Sequence, residues 1–242
     1  MTEIRALVTA AGRGTRAGLE YPKTLFPIQG IPILVRIAGL LRPYDACPSV
    51  IVSPEGELPI RQCLDAAALT AHLVVQPAPK GMGNAVQRFV HSPAFSDAEN
   101  VLLVWGDIPF IQLATLEAMI NTHLKEGNDF TFVTRRVDSA YTIVSRDSAG
   151  VVTGVVESRE LGIDQPKPGE RDIGLFIFRK GLVMDALLEE LPGKWGKSTG
   201  EHGFLYIIGH LAARGFRVMA LPIATELDIV SLNSMKDIDA YL

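Results

Sequence analysis

A doubly wound α/β fold with a mostly parallel sheet is predicted for this chain by three observations. Short, uninterrupted apolar runs recur through its first half, separated by segments of helical periodicity. Such runs are expected where helices cover both faces of a parallel sheet. Loops of small residues and glycine follow several of the runs directly. At 242 residues, with 48% hydrophobic and 21% charged side chains, the chain can also bury a full α/β core.

The elements follow in order. The first strand covers residues 4–9 and runs into Ala10-Ala11-Gly12-Arg13-Gly14-Thr15-Arg16. A helix over 33–41 opens after Pro32 and stops before Pro43. Strands at 50–53, 73–76 and 101–105 alternate with helices at 58–68 and 83–91, and a helix at 113–123 closes this half. The pattern then changes: strands at 130–134, 141–145, 151–157 and 173–178, with a turn at 148–150, give a mixed second half containing hairpins. Residues 158–171, polar and bearing Pro and Gly, read as a loop serving as a lid, an oligomer contact or a plain connection. Helices at 181–191 and 204–214 and a strand at 217–221 complete the list. With no repeat, low-complexity tract or long linker, residues 1–242 are read as one domain.

Composition narrows the partners. A net charge of -4 offers no electrostatic footprint for nucleic acid or a membrane surface, so phosphate binding must come from a local cluster. No run approaches the roughly 20 apolar residues of a membrane span. The first residues carry Glu3 and Arg5 rather than a signal peptide's apolar run, so a cytoplasmic protein is expected. Cys47 and Cys63 have neither metal-site spacing nor a disulfide framework and read as buried thiols.

Ligands of a doubly wound sheet collect at the carboxyl ends of its strands, and four groups of residues lie there. After the first strand, Gly12 and Gly14 are expected to turn with positive φ and bring N–H groups close to anionic oxygens. Arg16 can fork onto phosphate and Lys23 can act as a point charge. Gln76, before Gly81 and Gly83, could read the edge of a base or simply end a strand. Asp107, in Trp105-Gly106-Asp107-Ile108-Pro109, is placed for a Mg²⁺ bridging phosphates or for a cap. Asn233, in the segment beginning at Asp228, could supply a second oxygen or cap the next helix.

Taken together, Ala10 to Arg16 and Pro22-Lys23 resemble the signature of the sugar-1-phosphate nucleotidyltransferases, G-x-G-T-R followed by P-K. The resemblance continues through Gln76, Gly81, Gly106-Asp107, Glu157, Gly174 and Leu232-Asn233, nearly the whole chain, in the manner of the bacterial uridylyltransferases that make UDP-N-acetylglucosamine. It implies a Rossmann-like mixed sheet of the nucleotide-diphospho-sugar transferase type, with a nucleotide-binding half at about 1–115 and an acceptor-binding half at about 116–242. It implies nucleotide contacts from Ala10, Ala11, Gly12, Gly14, Thr15, Gln76 and Gly81. Arg16 would hold the departing phosphates, Lys23 the α-phosphate, and Asp107 and Asn233 a Mg²⁺. Glu157, Asp172, Gly174 and Tyr141 would face the acceptor.

The departures lie on the acceptor half. Related uridylyltransferases have glycine about where Tyr141 sits, asparagine for Asp172, threonine for Met82, and Thr-Asp for Leu205-Tyr206. The resemblance implies transfer of a nucleoside monophosphate, from UTP, to a sugar 1-phosphate with release of pyrophosphate. Its partners would be a nucleoside triphosphate and a small phosphorylated acceptor, with a homo-oligomer compatible with the pattern. The chain's end at Leu242 leads to the expectation of the nucleotidyl step alone. The alternatives are a cytidylyltransferase for a non-sugar phosphate such as phosphocholine or a polyol phosphate, and a non-catalytic nucleotide-sugar regulator. A dehydrogenase reading of Gly12-x-Gly14 leaves Pro22-Lys23 and Gly106-Asp107 unexplained. Glu201-His202 reads as a surface or acceptor-side pair, and His123 as structural or solvated.

Overall fold

The computed structural model describes residues 3–12, 14, 18–162 and 167–241. The first half contains β1 (Ile4–Thr9), β2 (Pro27–Ile28), β3 (Ile31–Pro32), α1 (Ile33–Leu41), β4 (Ser49–Val52), α2 (Glu57–Ala66), β5 (His72–Val75), α3 (Met82–Gln87), β6 (Asn100–Trp105) and α4 (Leu113–Glu126). The second contains β7 (Phe130–Ala140), β8 (Thr142–Arg146), β9 (Val152–Glu157), β10 (Lys167–Arg179), α5 (Lys180–Leu188), α6 (Tyr206–Ala213) and β11 (Val218–Leu221).

Seven strands form one sheet in the order β11-β7-β10-β6-β1-β4-β5. β1 pairs in parallel with β4 and β6, and β4 with β5, while β10 runs antiparallel to both neighbours. The expected doubly wound, mostly parallel sheet is therefore present, with β10 as its reversed strand. Its two faces are both buried, which is why the strands carry continuous apolar runs. Along β1, Ala6 and Val8 enter the core with α1, α2 and α4, whereas Leu7 points to the opposite core with α5, α6 and a cluster of phenylalanines. There Phe130 stacks on Phe178 with centroids 5.5 Å apart, and Phe176 meets Phe204 edge to face at 5.4 Å.

Several elements differ from the sequence expectation. β7 and β10 extend well past 130–134 and 173–178, because their outer ends are polar and pair with each other beyond the core. Glu170 sits opposite Arg136, and Arg171 opposite Arg135. The stretch read as a loop at 158–171 thus begins as a 3-10 turn (Ser158–Leu161) and ends as strand. The helix expected at 83–91 is α3 followed by a 3-10 turn (Arg88–His91). β2 and β3 were not foreseen: each is two residues long, too short for a periodic signal, and they are joined through Gln29 and Gly30 at φ of 52° and 77°. Positive φ at both central residues is what a type I′ hairpin turn requires. No helix among the described residues is long and apolar enough to cross a membrane.

His123 ties α4 to the sheet. It is 2% exposed, with Nδ1 3.0 Å from Thr131 Oγ1 and Nε2 3.0 Å from Asn100 Oδ1. Burial, aided by Arg179 and opposed by Asp129, lowers its pKa from 6.5 to about 4. The unfolded chain therefore binds the extra proton between those values, and stability falls as pH drops from about 6.5 toward 4. At pH 5 the loss from this group is about 2 kcal/mol. Urea midpoints measured from pH 7 to 4.5 should follow that slope, and His123→Leu should flatten part of it.

Candidate active site

The site is set by where strands stop. Ala10 N donates to Ile51 O at 2.8 Å, Gln76 N to Val52 O at 2.8 Å, and Gly106 N to Thr9 O at 3.0 Å. The chain thus leaves β1, β5 and β6 at the carboxyl end of the parallel strands. A Cβ on Gly106 would lie 2.6 Å from Thr9 O, so only glycine lets this exit pass so close to β1. Ala11, Ser53, Pro54, Glu55 and Gln76 through Pro79 line a cleft beside it.

The loop after β1 corrects one expectation. Gly12 does not take a positive φ; a Cβ there would meet Lys23 Cε at 3.5 Å, an ordinary van der Waals contact, so the lysine stem packs beside this residue without requiring glycine. A Cβ on Gly14 would lie 2.5 Å from Leu19 Cβ and 2.6 Å from Tyr21 O, which makes glycine necessary for packing of the loop on itself. Gly18 supplies the positive φ, +73°. Thr15 and Arg16 lie outside the described residues.

Three remote segments meet at Lys23. The residue opens a 3-10 turn (Lys23–Leu25) behind Pro22. Its Nζ forms an ion pair with Asp107 Oδ2 and donates to Leu232 O at 3.4 Å. Leu232 N donates to Asp107 O at 2.9 Å, which ties the C-terminal segment to the end of β6. Asn233 is the next residue, exposed, with Nδ2 donating to Ser231 Oγ at 2.8 Å. It does not cap the following turn; Ser234 does so, in a capping box with Asp237. Asp228, which begins this segment, is fully buried and structural: it accepts from Gln112 N, Thr115 Oγ1 and Thr225. A carboxylate and an amide oxygen are a donor set that suits Mg²⁺, which keeps water and takes phosphate oxygens as further ligands. Among the described residues no group of three or more His, Cys, Asp and Glu could hold a metal.

The residues expected to face the acceptor lie around the bend of β10. Its register against β7 shifts between Asp172 and Phe176, and Gly174 within that bulge has φ +80°. A Cβ on Gly174 would lie 2.7 Å from the Trp105 ring and 2.8 Å from Ile108, so Gly174→Ala should lower unfolding stability by about 3 kcal/mol in a denaturant titration. Asp172 is 2% exposed, and Gly174 N donates to its Oδ2 at 3.1 Å. Burial pushes this carboxyl above the usual range, outweighing the nearby Thr142 hydroxyl, Arg171 and Gly174 N–H, and Glu157 adds to the rise. The β8–β9 hairpin places Glu157 opposite Thr142. Tyr141 precedes that hairpin, 40% exposed, with the Arg171 guanidinium 4.4 Å from its ring centre. Partial burial raises the phenol's pKa; Arg171 opposes this, and Asp172 and Asp107 both add to it, so the ring is within the field of both acids.

Gly81 and Gly83 bring in the segment of Glu201-His202, which the sequence read as a surface or acceptor-side pair. Gly81 has φ +95°, and its Cβ would fall 2.5 Å from His202 O; that of Gly83 would fall 2.0 Å from Gly203 O. The close approach they permit is therefore to residues 202–203 of the same chain. Gly83 N donates to His202 O at 2.9 Å, and His202 N to Lys80 O at 2.8 Å. His202 is itself buried, and burial together with Lys194, opposed by Glu190, lowers its pKa to about 4. Its ring nitrogen lies 3.2 Å from the Tyr206 hydroxyl. Gln76 uses both amide hydrogens internally, on Gly81 O at 3.1 Å and Asn84 Oδ1 at 3.0 Å.

Residues 6–162 match the model of the MobA-like NTP transferase domain. The chain belongs to that family. Its curated relatives include the bifunctional protein GlmU of Heliobacterium modesticaldum, 29% identical over 231 residues, and that of Alkalilimnicola ehrlichii, 30% identical over 236. The matches cover 95% and 94% of this chain but 49% and 47% of the relatives, so the chain spans about half their length. Among solved structures, a candidate glucose-1-phosphate thymidylyltransferase from Bacillus anthracis superposes with a TM-score of 0.77 at 14% identity, covering 98% of this chain and 93% of that one. HddC from Yersinia pseudotuberculosis gives 0.67 at 17% identity, covering 98% and 97%. These structures share the fold. The family matches what the opening loop implied, and this NTP transferase domain has the nucleotide-diphospho-sugar transferase type of sheet.

Proposed function

We propose that the domain transfers a nucleoside monophosphate from a nucleoside triphosphate to a small phosphorylated acceptor and releases pyrophosphate. On the sequence resemblance, the donor is UTP and the acceptor a sugar 1-phosphate. The observation that carries this reading is the meeting of Lys23, Asp107 and the Leu232-Asn233 segment at the carboxyl ends of β1 and β6.

Attack by an acceptor phosphate oxygen on the α-phosphorus brings two anions together, so the protein's task is alignment and charge stabilisation; no covalent nucleophile is needed. Lys23 serves the α-phosphoryl oxygens as their charge builds. Ala10, Ala11, Gly12, Gly14 and Thr15 form the nucleotide cradle, with Arg16 on the departing pyrophosphate, while Gln76 and Gly81 hold the base. Asp107 and Asn233 would hold Mg²⁺, which when bound supplies positive charge to the phosphates. The acceptor phosphate is ionised at neutral pH, so no general base is required. Asp172, buried near the Thr142 hydroxyl, shapes the acceptor side beside Glu157, Gly174 and Tyr141.

A second reading, a cytidylyltransferase for a polyol phosphate or phosphocholine, is favoured by Tyr141. Its ring, stacked by Arg171, stands where glycine is found in the related uridylyltransferases, and leaves less room for a pyranose. A pyrophosphate-release screen of each nucleoside triphosphate against sugar 1-phosphates and alcohol phosphates, with Mg²⁺, separates the two. UTP with a sugar 1-phosphate supports the first reading, CTP with an alcohol phosphate the second, and no release with any pair rejects both.

A further inference from the structure

Resting on the reading that Asp107 and Asn233 are the metal's ligands, we propose that Lys23 is the resident cation of Asp107 before nucleotide binds. The nucleotide then exchanges this lysine for the divalent metal, so that metal enters the site with the triphosphate rather than before it.

The contacts lead there directly. The Lys23 ammonium pairs with Asp107 Oδ2 and also donates to the carbonyl of Leu232, the residue next to Asn233. It thus bridges the two segments that carry the metal's oxygen donors, and Leu232 N closes the arrangement by donating to Asp107 O. Side-chain exposure is 14% for Asp107 and 23% for Lys23. A carboxylate this enclosed is costly to leave without a cation. In this arrangement the lysine meets that need, and a dication must compete with a tethered ammonium for the same oxygen.

A triphosphate changes the balance. Lying on the loop at Ala10 to Gly12, it brings several negative charges beside the lysine stem, since Gly12 stands 3.5 Å from Lys23 Cε measured from its would-be Cβ. Lys23 sits on a flexible four-carbon stem and can turn from Asp107 to the phosphate. A metal arriving on the phosphate oxygens then takes the carboxylate that the lysine leaves. No bond to carbon or phosphorus changes in this step; one cation replaces another on Asp107 while the total charge at the phosphates falls.

The test measures Mn²⁺ binding by electron paramagnetic resonance of the free ion, on the full chain, without acceptor. Wild type, Lys23→Met, Asp107→Asn and the double variant are titrated with Mn²⁺ alone and with Mn²⁺ plus UTP. Lys23→Gln, which keeps a donor for Leu232 O, is run beside Lys23→Met in case the latter misfolds. The expected result is that Mn²⁺ alone binds the two lysine variants about tenfold or more tightly than wild type. Asp107→Asn should erase that gain. Equal affinity of wild type and the lysine variants for Mn²⁺ alone, with Asp107→Asn weakening both, overturns the exchange and leaves the metal reading intact. If Asp107→Asn changes nothing in any background, with or without UTP, the metal reading itself fails and the exchange fails with it.

Discussion

A Lys23→Ala enzyme is expected to turn over at least roughly 100-fold more slowly than wild type, equivalent to about 3 kcal/mol of lost transition-state stabilisation. The effect should fall on kcat, because the ammonium's proposed work is on charge that develops at the α-phosphoryl oxygens only as the bond to pyrophosphate breaks. The loss should persist at saturating nucleotide. Pyrophosphate release with a working acceptor measures it directly, and near-normal turnover would remove Lys23 from the chemistry. The variant also deprives Asp107 of its ion-pair partner. Its unfolding should therefore be followed in parallel, so that instability is not read as lost catalysis.

Asp107→Ala is expected to be at least as damaging, with kcat again reduced by roughly two orders of magnitude or more. Here the dependence on metal is the informative readout. Removing one of two protein oxygens should raise the Mg²⁺ concentration needed for half-maximal rate, and added Mg²⁺ should recover only part of the loss. Unchanged Mg²⁺ dependence alongside a normal rate would mean that the carboxylate serves only to hold Lys23 and the end of β6. The backbone of Asp107 also accepts from Leu232 N, a bond that the alanine variant keeps, so the C-terminal segment should stay docked.

Much of this protein was legible along the chain. Parallel strands buried on both faces leave unmistakable apolar runs, which is why Ile4–Thr9 and the interior of β4, β5 and β6 could be read directly. Gly106 and Asp107 were legible for a related reason: a glycine and an acid directly after such a run stand at the strand's carboxyl end whatever the rest of the fold does. Elements without a hydrophobic period were not legible. The polar outer half of β10 looked like a loop because its partner, the end of β7, is equally polar and distant in sequence, with Lys167 opposite Ala140 and Arg171 opposite Arg135.

The sequence by itself determined the doubly wound order, the presence of Lys23 after the first strand and Asp107 after the fourth strand run, and the family to which the domain belongs. Only the tertiary structure decided what those groups touch. It paired Lys23 with Asp107 across 84 residues and brought the Leu232 carbonyl, 209 residues away, onto the same ammonium. It showed that Gly81 and Gly83 are bare because residues 202–203 press against them, and that His202 is buried there. The physical reason is the same in each case. Periodicity and turn chemistry record what a residue needs from its immediate neighbours, whereas ion pairs, steric exclusions and buried carboxyls such as that of Asp172 depend on which distant backbone the packed sheet brings alongside.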